Sequence, residues 1–432
     1  MPIPRLPLIP DPLRRIRVPK DLDSVTTFAA EEDPTSVDLT TENIERIWDA
    51  AVSLYRSGVH PGISLCVRRH GAVVLDRAIG HARGNGPQDS ADVEKELLTP
   101  ETPMCIFSAS KGITATLVHL LDERGVLHIG DPVAEYLPEF ARNGKQGITI
   151  GHVLSHRAGI PNIPREVLDL DQIGDWEYQR EIMYDAQPIY RPGKRQAYHA
   201  VSGGNLLGEV IREVTGKGIR DVLAREILDP LGFRWTNYGV APEDTDKVAL
   251  NYPTGPILVP PLSTLINRAL GVPADVATNM SNDPRFLTAV LPAANTVSTA
   301  NELSRFYEML RRGGELDGVR VMEARTIRRA RVAQSHMEVD LSLGFPIAFS
   351  NGYMLGGRLL SLFGPDTQQA FGHLGWINIL SWADPERALS VAMIPTGKAV
   401  LYPEIARFWQ ATRRIGREAG KVATGSGADQ EE

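Results

Sequence analysis

Residues 105–115 read CIFSASKGITA, and this stretch decides more about the fold than any other. A Thr-Pro pair stands just before it, and the residue before a proline disfavours helix. From Ser108 onward, apolar residues recur at helical spacing, and Gly125 can end the pattern. The stretch therefore predicts a helix with Ser108 and Lys111 in or next to its first turn.

Ser108 and Lys111 are three residues apart, so on a helix they share a face, with Cβ atoms about 5–6 Å apart. An amine at that distance can take a proton from a hydroxyl, which is the minimum equipment for a serine nucleophile without histidine. The unpaired N–H groups of a first helical turn also favour developing negative charge. The alternative is that Ser108 is only an N-cap. An S-x-x-K pattern by itself is short enough to arise by chance.

The composition is that of an ordinary soluble globular protein, with 432 residues, 42% hydrophobic and 23% charged. The length allows two or more core-bearing units. The net charge of −7 offers no basic field for nucleic acid, and we interpret the arginine cluster of residues 325–331 as a solvated helix face. Cys66 and Cys105 lie in apolar contexts, which predicts reduced core residues rather than a disulfide framework.

The first twelve residues are apolar but interrupted by prolines, without a continuous apolar core or a small-residue cleavage site. This pattern argues against a signal peptide. The sequence contains no run of 18 apolar residues, so it predicts no transmembrane segment. We therefore expect a cytoplasmic protein. Residues 13–18 carry three arginines and could touch a lipid surface, but we favour a strap lying on the protein's own surface.

Strand patterns occur at both ends of the chain and helical patterns in its middle. Residues 62–76 predict a hairpin, and residues 378–383 and 389–394 predict two adjacent strands. Residues 252–294 are rich in proline and have no clean period, which we interpret as an irregular lid or pocket wall. Further helices are predicted at 41–57, 149–155, 205–214, 221–231, 299–311 and 403–417.

This layout predicts an α+β fold, in which one antiparallel sheet is flanked by helices and built from the N- and C-terminal parts of the chain. A mostly helical domain is inserted between those two parts. The predicted units are an N-terminal arm (1–40), a sheet domain (41–125 and 295–418), a helical domain with lid or pocket loops (126–294) and a disordered tail (419–432).

Three more segments accompany the serine–lysine pair: TIGHVLSHRAGIP (149–161), RPGKRQAYHA (191–200) and FGHLGW (371–376). With them, the chain from about residue 40 to 410 resembles the serine β-lactamase and penicillin-binding-protein superfamily. The resemblance is to the branch of class C β-lactamases and β-lactamase-like carboxylesterases, the family VIII esterases and lipases. The segments GVLHIGDPVAEYLP (125–138) and GGELDG (313–318) and the tripeptide ADP (383–385) belong to the same pattern.

The resemblance implies a role for each of three residues. Ser108 matches the acylated nucleophile, and Lys111 matches the lysine that helps to deprotonate it. Tyr198 matches the tyrosine of the Y-x-N element, a phenolic base that also protonates the leaving group. A partly buried lysine beside this tyrosine is expected to lower the pKa of the phenol from about 10. Which of Lys111 and Tyr198 is the base stays open, since strongly coupled groups need not have a unique answer.

The third family element, K-T-G or its H-x-G variant, is matched by His373, Leu374 and Gly375 on a strand at the sheet edge. By that match, the backbone N–H groups of Ser108 and Trp376 form the oxyanion hole. Ser108, His373, Gly375 and Trp376 are therefore the predicted oxyanion and substrate-binding residues.

Two departures from the lactamase pattern bear on the substrate. Ala200 stands where class C lactamases carry the asparagine that binds the acylamino group of a lactam, and His373 stands where they carry a lysine. Both changes remove polar recognition of lactams, and both are familiar among the esterase relatives. We therefore expect a small-molecule ester with an apolar part. Trp376, Phe371 and residues 252–294 are candidate pocket walls or core.

The main hypothesis is a serine carboxylesterase or lipase-like hydrolase that needs no cofactor and works through an acyl-enzyme on Ser108. The alternative is a β-lactamase, or a D-amino-acid peptidase or transacylase, with the same Ser-Lys-Tyr site. A non-enzymatic scaffold is a third hypothesis, against which the intact Ser108, Lys111 and Tyr198 argue. The sequence does not specify the natural ester, its chain length or the oligomeric state, monomer or dimer.

A metal site is also considered because His152 and His156 are four residues apart. The H-E-x-x-H pattern needs glutamate where this chain has Val153, so we predict no metal. His156 is instead expected to brace the turn at residues 159–161. His199 could tune the neighbouring tyrosine or only line the pocket, and we favour the second role.

Overall fold

The computed structural model describes residues 11–90, 92–162 and 164–422. Its strands are β1 (Thr26–Phe28), β2 (Gly62–Arg69), β3 (Ala72–Arg83), β4 (Glu96–Leu97), β5 (Met104–Cys105), β6 (Asn237–Tyr238), β7 (Thr296–Ser298), β8 (Glu315–Leu316), β9 (Val319–Arg320), β10 (Met354–Leu355), β11 (Phe371–Gly375), β12 (Ile379–Asp384) and β13 (Leu389–Pro395). Its helices are α1 (Thr41–Tyr55), α2 (Ser110–Glu123), α3 (Val133–Tyr136), α4 (Ile150–Leu154), α5 (Trp176–Asp185), α6 (Ser202–Thr215), α7 (Ile219–Leu223), α8 (Leu262–Leu270), α9 (Ala274–Met280), α10 (Pro284–Thr288), α11 (Ala300–Arg311), α12 (Ala324–Ala330) and α13 (Ala406–Glu418).

The main sheet joins both ends of the chain. Its strand order is β1-β3-β2-β13-β12-β11-β10, with β4 paired to β3, and every pairing is antiparallel. The C-terminal strand β13 pairs with the N-terminal strand β2 over its whole length, from Ile63 opposite Pro395 to Arg69 opposite Leu389. The predicted α+β class and the sheet built from both termini are confirmed.

Helices cover both faces of this sheet. Because side chains alternate across a strand, Leu65 and Val67 of β2 join the core with α1 and α13, whereas Cys66 joins the core with α2 and α11. This explains why β2 is buried on both faces although sheet strands usually alternate in polarity. Cys66 and Cys105 are both buried and free, as predicted.

Helix α2 lies in the centre of the molecule and carries the serine–lysine pair at its start. Strand β5 pairs with β7 and leads into a short 3₁₀ turn, Phe107–Ala109, which runs directly into α2. From its first residue to Leu121 the helix is buried. The prediction that Ser108 lies in or next to the first turn of a helix is confirmed.

The region 252–294, predicted to be irregular, contains the three short helices α8, α9 and α10. Prolines stand at their starts: Pro261 and Pro273 precede α8 and α9, and Pro284 is the first residue of α10. Proline is favoured there because the first helical N–H groups have no intrahelical acceptor. The expectation of an irregular stretch was wrong, because helices this short do not show a clean period in the sequence. The role of this region as a lid or pocket wall stays a prediction.

The helices predicted elsewhere are present with small shifts at their ends, except that the one at 221–231 divides into α7 and a π-helical turn, Ala224–Leu228. Arm residues 11–40 lie on the protein's own surface, where Leu13 and Ile16 are buried and the Arg14 guanidinium donates to the Gly255 carbonyl at 2.6 Å. The arm also contains strand β1, which the sequence did not predict.

The predicted disordered tail falls largely on residues 423–432, which lie outside the described residues. The boundaries of the predicted domains stay predictions. Within the described part of the chain, none of the helices has the length and apolar character that crossing a bilayer requires.

Candidate active site

The turn before α2 gives its two serines different environments. The buried Ser110 hydroxyl donates to the Phe107 carbonyl and accepts from the Thr296 N–H at 3.0 Å, so it ties the turn to β7. Phe107 holds a φ of 49°, an unusual value for a residue with a side chain. Ser108 is only half-buried. The turn therefore presents Ser108 toward the surface and uses Ser110 as its anchor.

The Lys111 side chain lies within hydrogen-bond distance of three oxygens. Its Nζ is 3.2 Å from the Ser108 Oγ, 2.7 Å from the Ala200 carbonyl oxygen and 2.9 Å from the Ala293 carbonyl oxygen. It is 9% exposed and forms no ion pair with a carboxylate among residues 11–90, 92–162 and 164–422. Burial lowers the pKa of Lys111 well below its usual value.

The neutral form of Lys111 matches this set of partners. A neutral amine has two hydrogens and one lone pair. The two hydrogens match the carbonyl oxygens of Ala200 and Ala293, which can only accept. The lone pair is left for the Ser108 hydroxyl, the one partner that can also donate. The arrangement is therefore suited to take the serine proton.

Tyr198 completes a three-residue cluster, because its hydroxyl lies close enough to Ser108 for that side chain to affect its pKa. Its ring centroid lies 4.9 Å from the Lys111 Nζ. The sequence predicted that Lys111 would lower the pKa of the phenol. The structure gives the opposite direction: burial raises the pKa of Tyr198, and the Ser108 side chain only partly offsets this. Lys111 and Tyr198 are both buried, and neither pairs with an opposite charge in the part of the chain that the structure describes, so each favours its neutral form.

Asp340 fixes the backbone of Tyr198. One carboxylate oxygen of this fully buried residue accepts from the N–H groups of Tyr198, Ser342 and Leu343, at 3.0, 2.9 and 3.0 Å. The contact joins the segment before α6 to the loop before β10. Sequence analysis did not single out Asp340, although aspartate is a common turn residue because its side chain can accept from the backbone N–H two residues on.

Two histidines pack beside the tyrosine. The His156 ring lies between Tyr198 and Phe349, with centroid distances of 4.6 and 4.7 Å. Its Nδ1 accepts from the His199 N–H, while His199 Nε2 accepts from the Ile160 N–H at 3.1 Å. The brace of the turn at 159–161 is therefore His199, and the prediction that assigned it to His156 was wrong. Burial lowers the pKa of both histidines, that of His199 to about 3, so both stay neutral.

His152, the other histidine of the spaced pair, caps α4. Its Nδ1 accepts from the Thr149 N–H, while the Thr149 hydroxyl accepts from the His152 N–H. This reciprocal arrangement is a capping box. The spacing of His152 and His156 is thus explained by one helix cap and one packing contact.

Strand β11 lies against the turn that carries Ser108. A Cβ atom on Gly375 would lie 2.4 Å from the Ile106 carbonyl oxygen, so glycine permits this close approach. Behind it, His373 is fully buried near Gly112 of α2; a Cβ on that glycine would lie 3.7 Å from the His373 Cβ. The backbone of Ser108 and the end of β11 are therefore neighbours, as the predicted oxyanion pair requires.

The His373 imidazole is neutral. Its Nδ1 lies 2.8 Å from the Leu374 carbonyl oxygen, which identifies Nδ1 as the donor. The buried Nε2 has no hydrogen-bond partner among the described residues. Burial, with a smaller contribution from Lys111, lowers the pKa of His373 to about 3. This side chain has no positive charge to offer a carboxylate.

Trp376 follows β11 and reaches the α8–α10 region. Its indole Nε1 donates to the Thr278 hydroxyl of α9 at 3.1 Å, and its side chain is half-buried. Phe371 is instead fully buried, with its ring edge-on to Tyr353 at 5.3 Å. Phe371 is therefore part of the core and not a pocket wall. Trp376 instead lies between the end of β11 and α9, next to the cluster.

The structure thus brings together all six residues singled out from the sequence: Ser108, Lys111, Tyr198, His373, Gly375 and Trp376. Their catalytic and binding roles remain predictions.

Comparison with known proteins gives a consistent set of relatives. The family model described as Beta-lactamase matches residues 42–409. The esterase/beta-lactamase LipL of Mycobacterium tuberculosis (strain ATCC 25618 / H37Rv) is 32% identical over 303 residues, which cover 67% of this chain and 68% of the relative. The N-acetylmuramyl-L-alanine amidase of Bacillus subtilis (strain 168) is 24% identical over 371 residues, 80% of this chain and 79% of the relative.

Two solved structures share the fold over most of both chains. A family VIII carboxylesterase has a TM-score of 0.73 and 26% identity, and the alignment covers 86% of this chain and 97% of the other. A penicillin-binding-protein homologue from Caulobacter crescentus has a TM-score of 0.74 and 25% identity, with 88% and 98% covered.

Proposed function

The chain belongs to the beta-lactamase family of serine hydrolases, and from that premise we propose that it is a carboxylesterase that forms an acyl-enzyme on Ser108. The observation that carries the proposal is the hydrogen-bond set of Lys111, with two carbonyl acceptors and one serine hydroxyl. An amine in that position is a base directed at one proton.

In the acylation step, Lys111 takes the Ser108 hydroxyl proton while the serine oxygen attacks the ester carbonyl carbon. The carbonyl oxygen becomes an oxyanion, for which the backbone N–H groups of Ser108 and Trp376 are the proposed donors. Preorganised donors of this kind typically contribute about 10²–10³-fold to kcat each. The proximity of Gly375 to Ile106 supports this pairing.

Collapse of the tetrahedral intermediate breaks the bond to the alcohol oxygen, which needs a proton as it leaves. Tyr198 is suited to donate it, because burial raises its pKa and keeps the phenol protonated. The Lys111 ammonium then returns a proton to the phenolate, so the pair is restored. In deacylation a water molecule replaces the alcohol, and the same groups pass its proton to the Ser108 oxygen.

The character of the site favours an ester over a lactam. Ala200 offers a methyl group where an amide would bind an acylamino group, and its carbonyl is already occupied by Lys111. His373, with its pKa near 3, is neutral and cannot pair with a substrate carboxylate. Lys111, His156 and His199 also favour their neutral forms. None of these side chains offers a positive charge to an anionic substrate, which favours an uncharged acyl group.

The names of the relatives agree with this choice without deciding it. One is called an esterase/beta-lactamase and another a family VIII carboxylesterase, whereas a third is an amidase. The contrast between ester and amide therefore depends on Ala200 and His373.

The test is a comparison of kcat/KM for p-nitrophenyl esters of increasing acyl length and for a chromogenic cephalosporin, with wild type and Ser108→Ala. We expect ester turnover to fall by about 10⁴–10⁶-fold in the variant, with an unchanged thermal unfolding midpoint because Ser108 is half-buried. The lactam should be a poor substrate for both proteins. Ester hydrolysis at the wild-type rate in Ser108→Ala, or lactam turnover as fast as ester turnover, would refute the proposal.

A further inference from the structure

An apolar groove lies on the opposite face of β11 from the candidate site. His373 points toward α2, and the next residue, Leu374, points the other way and lines the groove. The groove has a volume of about 820 Å³, which is in the range of small-molecule sites. Leu359 and Leu360 on its wall are 80% and 68% exposed. The other apolar side chains on its walls include Met337, Phe345, Ile347, Ile377, Phe408 and Trp409.

A second cavity of about 710 Å³ borders the groove and is lined by charged side chains instead of apolar ones. The two share Gly364, Pro365 and Arg413 as a common wall. Five arginines and two aspartates line this second cavity, which is a basic surface on a protein with a net charge of −7. The arginines are Arg46, Arg387, Arg413, Arg414 and Arg417, and the aspartates are Asp49 and Asp366.

Some of these charges are already neutralised within the protein. Arg46 and Arg414 both pair with Glu418. Arg387 pairs with Asp384 and with Asp366, and Asp366 also pairs with Lys421. Of the cavity's carboxylates, Asp49 has no ion pair among the described residues.

Arg413 and Arg417 remain without an ion pair anywhere in the described part of the chain, and both are exposed. An anion that enters the cavity would therefore find two unpaired guanidinium groups. Guanidinium groups bind carboxylates and phosphates with paired hydrogen bonds.

Helix α13 connects the two cavities along one face. Trp409, Arg413 and Arg417 are four residues apart, so they form one stripe on this helix. Trp409 lines the groove, Arg413 lines both cavities, and Arg417 lines the basic one. The stripe changes from apolar to cationic over about two helical turns.

We propose that this surface binds a single-chain amphiphile with an anionic head group, such as a fatty carboxylate or an alkyl phosphate. The alkyl chain lies in the apolar groove beside Leu360 and Trp409, and the head group lies between Arg413 and Arg417. The two cavities share Gly364, Pro365 and Arg413, and a molecule with one apolar and one anionic end matches this juxtaposition. The site is separate from the Ser108 cluster, because β11 lies between them, and it does not depend on the proposed esterase activity.

The experiment is calorimetric titration of the full-length protein with laurate below its micelle concentration. Dodecyl phosphate is a second anionic probe, dodecyl maltoside is the neutral probe with the same chain, and acetate and inorganic phosphate are head groups alone. We expect one site for laurate and dodecyl phosphate, affinity at least about tenfold lower for dodecyl maltoside, and no measurable binding of acetate or inorganic phosphate.

Variants locate the binding. Arg413→Gln with Arg417→Gln should weaken laurate binding at least about tenfold, and Leu360→Glu should weaken it as well. The matched control is Arg325→Gln with Arg328→Gln on α12, which removes two exposed arginines that have no ion pair with any described residue and should leave affinity unchanged. Hydrolysis of a short ester should be the same in the Arg413/Arg417 variant and in wild type, so a failure of the esterase proposal leaves this result interpretable.

Three results would overturn the proposal. The first is unchanged laurate affinity in the Arg413/Arg417 variant, which would place the ligand elsewhere, such as beside Ser108. The second is equal affinity for laurate and dodecyl maltoside, which would remove the anionic requirement. The third is co-sedimentation with anionic phosphatidylglycerol vesicles without binding of monomeric laurate, which would identify a membrane-docking surface instead.

Discussion

Two buried lysines in this protein have nearly the same surroundings and one decisive difference. Lys145, which is 0% exposed, donates to the carbonyl oxygens of Arg142, Tyr184 and Ala186 at 2.8, 2.6 and 2.7 Å. Lys111, which is 9% exposed, has two carbonyl partners and the Ser108 hydroxyl. Each Nζ also lies over an aromatic ring, at 5.2 Å for Lys145 and 4.9 Å for Lys111.

The third partner decides what each lysine can do. Three carbonyls can only accept, so Lys145 needs all three hydrogens of an ammonium group. Burial lowers the pKa of Lys145 to about 8, which still leaves it protonated at neutral pH. A hydroxyl can donate, so Lys111 can be satisfied as a neutral amine. Desolvation makes both amines less basic, but only the contact with Ser108 makes the change chemically useful.

The largest expected effect is on catalysis. Lys111→Met should lower kcat for a p-nitrophenyl ester by about 10²–10⁴-fold, the usual contribution of a general base. Lys145→Met is the matched control, because it removes the same group from another buried position that has no contact to Ser108. It should change kcat of the folded protein by less than about threefold. Similar losses of kcat in both folded variants would contradict the distinction.

The next largest effect is on stability, and here Lys145→Met is expected to cost more than Lys111→Met. Lys145→Met leaves three buried carbonyl oxygens without their donor and should lower the free energy of unfolding by about 2–4 kcal/mol. Lys111→Met removes the donor of two carbonyls in a site that is less completely enclosed, so its effect should be smaller. Urea denaturation followed by circular dichroism measures both. A greater loss for Lys111→Met would mean that its contacts chiefly support the fold.

The smallest expected effect is on pH dependence. Because burial lowers the pKa of Lys111, the neutral amine is available well below pH 10.5, the usual pKa of lysine. Acidification protonates it, so kcat/KM should fall about tenfold per pH unit below that lowered pKa. The raised pKa of Tyr198 predicts no loss of activity up to pH 10. An acid limb centred at or above pH 10.5 would show that Lys111 behaves as an ordinary lysine.

Periodicity carried the fold prediction furthest where elements are regular. The hairpin β2–β3 follows from two apolar runs joined at His70 and Gly71, and the helices α1, α2 and α11 follow from helical spacing within single segments. The predictions failed where the local sequence is compatible with more than one structure. Prolines at the starts of α8, α9 and α10 resemble breaks, and the three residues of β1 are a strand only because β3 lies beside them.

The candidate site was predictable to the extent that its residues are identified by type and spacing. Ser108 and Lys111 came from a spacing of three, whereas Tyr198 and His373 came only from the family resemblance. The carbonyls of Ala200 and Ala293 could not be foreseen, because every residue has a backbone carbonyl and only the folded chain selects two of them. The neutral states of Tyr198 and His373 likewise result from burial, which sequence does not report.

The pairing of β2 with β13 also has a consequence for synthesis of the chain. The hairpin leaves the ribosome early, but its partner strand follows about 300 residues later, and at about 5–20 residues per second this delay is roughly 15–60 s. During that time one edge of β2 has no neighbour and could pair with another nascent chain. Two arginines, Arg68 and Arg69, stand at the end of this strand. In the folded protein the Arg68 guanidinium donates hydrogen bonds to Ser304 and Asn301 of α11. The charge that discourages misassembly during synthesis therefore joins β2 to α11 after folding.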